Sequence, residues 1–132
     1  MKNKSVDDVK LMIQRAIPVA GARVLVLGLT FKEDCPDLRN TRVVDIIAEL
    51  QSYSAEVEVY DPWVSAEEAQ HEYGIAPVPE LRQGHYDAVI IAVGHHQFRE
   101  MGAAGIRALC RGEPVVYDVK YVLPAGEATA RL

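Results

Sequence analysis

Cysteine is nearly absent from this 132-residue chain: Cys35 and Cys110 are the two present, too few for a disulfide framework or a cysteine-based zinc site. Long apolar runs are missing as well. Nothing approaches the ~20 residues that a membrane-spanning helix needs, and the opening MKNKSVDDVK has no apolar core of a signal peptide. The chain therefore reads as cytoplasmic, with both thiols reduced. Basic charge is also in short supply. Fourteen Lys and Arg against 19 Asp and Glu leave a net charge of -5, which excludes a nucleic-acid or anionic-membrane binder working through bulk charge but permits a local anion site. The length fits one compact domain, and a domain of this size can hold half of a two-substrate site.

What is present is an alternation of strand and helix patterns. Val6, Val9, Ile13, Ala16 and Ile17 form a helical stripe behind a capping Ser5, and Pro18 limits it. Arg23 to Leu29 is an apolar run without alternation, the mark of a strand buried on both faces of a parallel sheet. Thr41 to Tyr53 has a helical apolar face with Asn40 or Thr41 as its N-cap, and Glu56 to Tyr60 alternates as a strand stopped by Asp61-Pro62. Ser65, with Glu68 three residues on, opens a short helix to Tyr73. Ala88 to Val93 is another apolar strand, His95 to Leu109 reads as one or two helices broken near Gly102 and Gly105, and Pro114 to Asp118 is the last strand. The residues after Leu123 read as a frayed tail. The expected fold is α/β, a Rossmann-like three-layer domain with a mostly parallel sheet in the order 3-2-1-4-5 or a truncated version of it. In such sheets ligands bind outside the carboxyl ends of the strands, where the segments 28–40, 93–97 and 118–121 would lie.

The first of these segments is the most heavily charged. Lys32, Glu33, Asp34, Cys35, Asp37 and Arg39 place six ionisable side chains in eight positions. The segment has neither the further glycines of a dinucleotide fingerprint nor the Gly-Lys-Ser/Thr of a P-loop. It does offer two cations, Lys32 and Arg39, ahead of a helix N-terminus, a combination that suits phosphate; the alternative is a solvated loop whose charges neutralise one another.

Leu25-Val26-Leu27-Gly28-Leu29-Thr30-Phe31-Lys32, Asp37-Leu38-Arg39-Asn40-Thr41, Val59-Tyr60-Asp61-Pro62 and Tyr117-Asp118-Val119-Lys120 together resemble the C-terminal, UDP-sugar-binding domain of the UDP-glucose/GDP-mannose dehydrogenase family. The resemblance runs from about Val6 to about Leu123. It implies the last third of an NAD-dependent enzyme that oxidises the 6-hydroxymethyl group of a nucleotide sugar to a carboxylate in two steps, as a homodimer. The catalytic cysteine and the NAD fingerprint would then lie upstream, leaving the isolated chain inactive and without a catalytic or metal-binding residue of its own. On this reading residues 1–20 are the end of a central connecting helix and linker, 21–123 the nucleotide-sugar-binding domain and 124–132 a tail. Phe31, Lys32 and Lys120 match substrate-binding positions, and Arg39 matches an arginine that reaches NAD on the facing domain. Lys120 stands where many members have Arg, so it keeps the charge without the planar fork. The Tyr117 to Lys120 segment is nearer the branch that oxidises UDP-N-acetylhexosamines for surface polysaccharide.

The other candidates have plainer readings. Cys110 reads as a packed helix residue, and His95-His96 as a cap or edge contact, since no neighbouring ligands complete a metal set. Asp61 follows Gly28 by 33 residues, where a ribose-binding acid stands ~20 on, so a turn with Pro62 is its expected duty. Tyr60 and Trp63 read as the edge of the core. A phospho-accepting receiver-like domain, with Glu33-Asp34 and Lys120 in its acidic and lysine positions, is the competing reading; it lacks an acceptor aspartate on a central strand.

Overall fold

The computed structural model describes residues 21–120, 122–124, 126, 128 and 130–131; the expected helix over Val6 to Ile17 lies outside them. Five strands, β1 (Arg23–Leu27), β2 (Glu56–Tyr60), β3 (Tyr86–Ile91), β4 (Cys110–Asp118) and β5 (Ala130–Arg131), form one sheet in the order β2-β1-β3-β4-β5. Every pairing is parallel, as the non-alternating apolar runs predict. The tail does not simply fray, because Ala130 and Arg131 extend the sheet beside Tyr117 and Asp118.

The helices among the described residues are α1 (Val43–Ser52), α2 (Ala66–Tyr73) and α3 (His96–Arg107). Val24, Val26, Ala88 and Ile90 pack with Ile46, Ile47 and Leu50 of α1 and Ala69 of α2. The alternate strand residues Leu25, Leu27, Val89 and Ile91 pack with Phe98 and Ile106 of α3. This period-two division gives the three layers.

Local chemistry sets the element ends. Ser65 Oγ accepts from the Glu68 N–H at 3.3 Å, and Gly74, at φ 66°, closes α2. Gly102 (φ 67°, ψ 178°) interrupts α3 where a break was expected. Neither Asn40 nor Thr41 is the N-cap of α1: the cap is Arg42, without a side-chain bond. Asn40 turns instead at φ 60°, and the Thr41 hydroxyl takes the Val43 N–H at 3.2 Å. Cys110 opens β4 rather than sitting in a helix. Here the register passes from Tyr86↔Cys110 to Ala88↔Val115, and the irregularity accommodates Pro114, which has no N–H to give a ladder.

The chain leaves β1 toward β2 on one side and later returns to β3 on the other, so a switch point lies at the carboxyl end of β1. Gly28 makes the close packing there possible. Its φ is 101°, and a Cβ on it would stand 2.6 Å from Val93 Cβ and 2.9 Å from the Val93 nitrogen. Gly28→Ala is therefore expected to destabilise the domain by about 2–4 kcal/mol, from overpacking and the unfavourable φ together. Urea denaturation would read this as a lower midpoint at unchanged slope; an unshifted midpoint would show that the junction yields freely.

Candidate functional site

Three loops meet at the carboxyl edge of the sheet, after β1, β3 and β4. Between them lies a cleft of about 280 Å³ lined by Phe31, Lys32, Glu33, Val93, Gly94, Arg99 and Lys120. Phe31 and Lys32 are thus brought to one place with Lys120, which lies far from them in sequence. Phe31 is the large apolar side chain left exposed among the described residues, at 55%, so its ring is free to cover a ligand face.

Arg39 is not brought there. Its Nε and Nη2 donate to the two oxygens of Asp37, each at 3.1 Å, and its backbone N–H donates to Asp37 Oδ1 at 2.8 Å. The side chain is 85% exposed. Asp37's hydrogen bonds raise the guanidinium pKa, so Arg39 is a fixed, outward-facing cation.

Beneath the cleft is a buried polar cluster that sequence reasoning did not identify. Asp61 Oδ2 accepts from the backbone N–H groups of Leu29 (2.7 Å) and Thr30 (3.1 Å) and lies 2.9 Å from His95 Nε2. Its Oδ1 accepts from the Trp63 N–H at 2.8 Å, the expected turn with Pro62 being only a part of its work. Burial pushes the Asp61 carboxyl pKa up, but the bonds from His95, Leu29 and Trp63 outweigh it, and the carboxyl sits below the ordinary aspartate value.

His95 is fully buried. Its Nδ1 accepts the Asp34 N–H at 2.9 Å, so the proton resides on Nε2, facing Asp61 and the Thr30 hydroxyl at 3.1 Å. The Thr30 hydroxyl in turn donates to the Lys32 carbonyl at 3.1 Å. His95 therefore ties both ends of the Phe31 to Glu33 segment to the loop after β3. Outside it, the backbone N–H and ring of His96 donate to Asp34 Oδ1 at 2.9 and 3.0 Å and hold that carboxyl below its usual range. The sequence signal was the position of His95 just past an apolar strand at the ligand edge.

Lys120 is positioned by the same device. Asp118, fully buried, accepts from the N–H groups of Lys120 (3.2 Å), Val122 (3.0 Å) and Leu123 (2.7 Å), so the strand end is locked with Lys120 facing the cleft.

Other chemistry is poorly served. Among the described residues no group of three His, Cys, Asp or Glu side chains could hold a metal ion, and no helix is long and apolar enough to cross a membrane. Burial pushes the Cys110 thiol up to about 11, which makes it a poor nucleophile. A second cleft at the opposite edge of the sheet is lined by Arg23, Arg82 and His85 together with Glu56 and Glu58, and its charges pair with one another.

A parallel sheet with an open cleft at the switch point of its carboxyl edge defines a doubly wound α/β domain, whose ligands bind at that edge. The chain belongs to the UDP-glucose/GDP-mannose dehydrogenase family: the model of that family's UDP binding domain matches residues 25–125. It is 54% identical over 124 residues to a UDP-N-acetyl-D-glucosamine 6-dehydrogenase of Salmonella typhi and 57% identical to one of Pseudomonas aeruginosa. In each case the match covers 94% of this chain and 29% of the relative, so the chain spans less than a third of those proteins. A UDP-glucose dehydrogenase structure from Pyrobaculum islandicum superposes with a TM-score of 0.71 at 29% identity, covering 98% of this chain and 29% of that one. An NDP-N-acetyl-D-galactosaminuronic acid dehydrogenase from Methanosarcina mazei, at 23% identity and a TM-score of 0.75 over 93% of this chain and 25% of its own, shares the fold.

The receiver-like alternative has no support from these comparisons. Asp61 ends an edge strand and is occupied by four donors, while the central strand β3 runs out in Ile91-Ala92-Val93 with no acceptor.

Proposed function

We propose that this chain forms the nucleotide-sugar wall of an NAD-dependent UDP-sugar 6-dehydrogenase, which converts a 6-hydroxymethyl group to a carboxylate in two oxidations. The observation that carries the proposal is the meeting of Phe31, Lys32 and Lys120 in one cleft, on a chain more than half identical to enzymes of that name. Lys32 and Lys120 are the substrate-binding cations, acting as point charges on ligand oxygens, and Phe31 offers its exposed face to the base or the sugar ring.

A complete NAD site does not fit the described residues. The backbone N–H groups of Leu29 and Thr30, which in a dinucleotide-binding turn would face the pyrophosphate, are committed to Asp61. The cofactor is therefore assigned to another part of the enzyme, with Arg39 reaching toward it from this domain. The nucleophilic thiol is likewise assigned elsewhere.

The proposed substrate is a UDP-N-acetylhexosamine. Steady-state assays of the full-length dehydrogenase test this: kcat/KM should be higher for UDP-N-acetylglucosamine than for UDP-glucose, and this chain alone should produce no NADH from either. Equal or greater efficiency on UDP-glucose removes the substrate assignment. NADH production by the isolated chain, lost on blocking Cys110 or Cys35, removes the assignment of a partial site.

A further inference from the structure

Arg99 is a cleft cation that lies outside the sequence motifs. It stands in the first turn of α3, and its guanidinium lies over Gly94. A Cβ on Gly94 would be 3.0 Å from Arg99 Nη2, 3.3 Å from Glu33 Oε2 and 3.6 Å from Lys120 Cβ. A glycine thus keeps open the place where the two charged groups and Lys120 converge. Arg99 Nη2 and Glu33 Oε2 are 3.7 Å apart, with side chains 46% and 61% exposed. Such a pair is too long for a hydrogen bond and contributes little to stability, so a better anion can displace it readily. With Lys32 and Lys120 in the same lining, the cleft holds three cations against the single carboxylate of Glu33.

We propose that Arg99 is a further ligand-binding residue that takes the diphosphate of a nucleoside diphosphate in its planar fork, and that Glu33 is an internal competitor which holds the guanidinium until the anion arrives. The inference rests on reading the cleft as the nucleotide-sugar site. A fork of parallel N–H donors matches a phosphate edge in a way the two lysines cannot, and Glu33, its charge no longer offset once Arg99 turns to the phosphates, opposes them by like charge.

Titration of this chain with UDP and, separately, with uridine, followed by amide NMR shifts, tests the proposal. Arg99→Gln should weaken UDP by about ten-fold and leave uridine unchanged, as expected for loss of one charge-assisted contact. Glu33→Gln should tighten UDP by about three-fold, with a smaller gain when Arg99 is already glutamine. Glu72→Gln, the same charge change at an exposed position of α2, should do neither. Both cleft side chains are partly exposed, so the variants should retain the wild-type spectrum away from the cleft. An unchanged UDP affinity in Arg99→Gln, an equal loss for uridine, or a Glu33→Gln gain no larger than that of Glu72→Gln overturns the inference and leaves the cleft assignment standing. No shifts from UDP in the wild-type chain overturn both.

Discussion

Asp61→Ala is expected to lower the stability of the domain by about 3–5 kcal/mol, the range for removing one member of a buried, charge-assisted network. The side chain is fully buried beside His95, and its loss leaves the N–H groups of Leu29, Thr30 and Trp63 without their acceptor and the ring N–H of His95 with the Thr30 hydroxyl alone. Water cannot replace it unless the switch point opens. For a domain of this size the loss corresponds to a fall in Tm of about 10–20 °C. Asp61→Asn should recover only part of it, because an amide turns an NH₂ group toward donors. The pH dependence has a fixed sign. The folded carboxyl titrates below the ordinary value of 3.8, so its contribution is complete above that value and is lost as the pH falls through the lowered one. Thermal melts of wild type and Asp61→Asn should therefore differ most near neutrality and converge in acid. A gap that persists at low pH would mean that shape, not charge, holds the junction.

The second large effect is on binding. Lys32→Ala in the full-length dehydrogenase should raise KM for the nucleotide sugar by roughly ten- to a hundred-fold, the consequence of losing one charged contact of about 1.5–3 kcal/mol. The fold itself should be little affected, since the side chain of Lys32 is exposed at the cleft. Arg39→Ala, whose guanidinium faces outward on Asp37, should act instead on KM for NAD. Wild-type values of both constants in both variants would reduce the loop charges to a solvated surface.

The parts of the site legible in sequence were those with a local signature. Phe31-Lys32 follows an apolar strand directly, and Lys120 follows another, so both positions could be placed at the carboxyl edge without knowing how the strands order themselves. Arg99 has no such signature. It is one charged residue in a helix turn of mixed polarity, and only the return of β3 beside β1 carries that turn to the cleft. His95 was legible in position but not in role, because its partners Thr30, Asp34 and Asp61 lie 34 to 65 residues away. A neighbouring pair of histidines looks the same in sequence whether it is exposed or buried.

The extent of β4 follows the same division. Its apolar run begins at Val115, yet pairing begins at Cys110 because the chain there is held by Tyr86 and an irregular register. The short β5 segment carries no strand pattern and is defined by the edge of β4 that it meets.

By itself, then, the sequence determined the α/β alternation, the parallel sheet, the ends of α2, the break in α3 and the cations of the first loop. Each depends on side-chain periodicity or on the backbone preferences of residues close together in the chain. The tertiary structure alone decided that Asp61 and His95 staple the switch point, that Arg39 faces away, and that Arg99 and Glu33 enter the cleft. Those outcomes depend on which loops the strand order makes neighbours, and hydrogen bonds across such distances leave no periodic trace in the sequence.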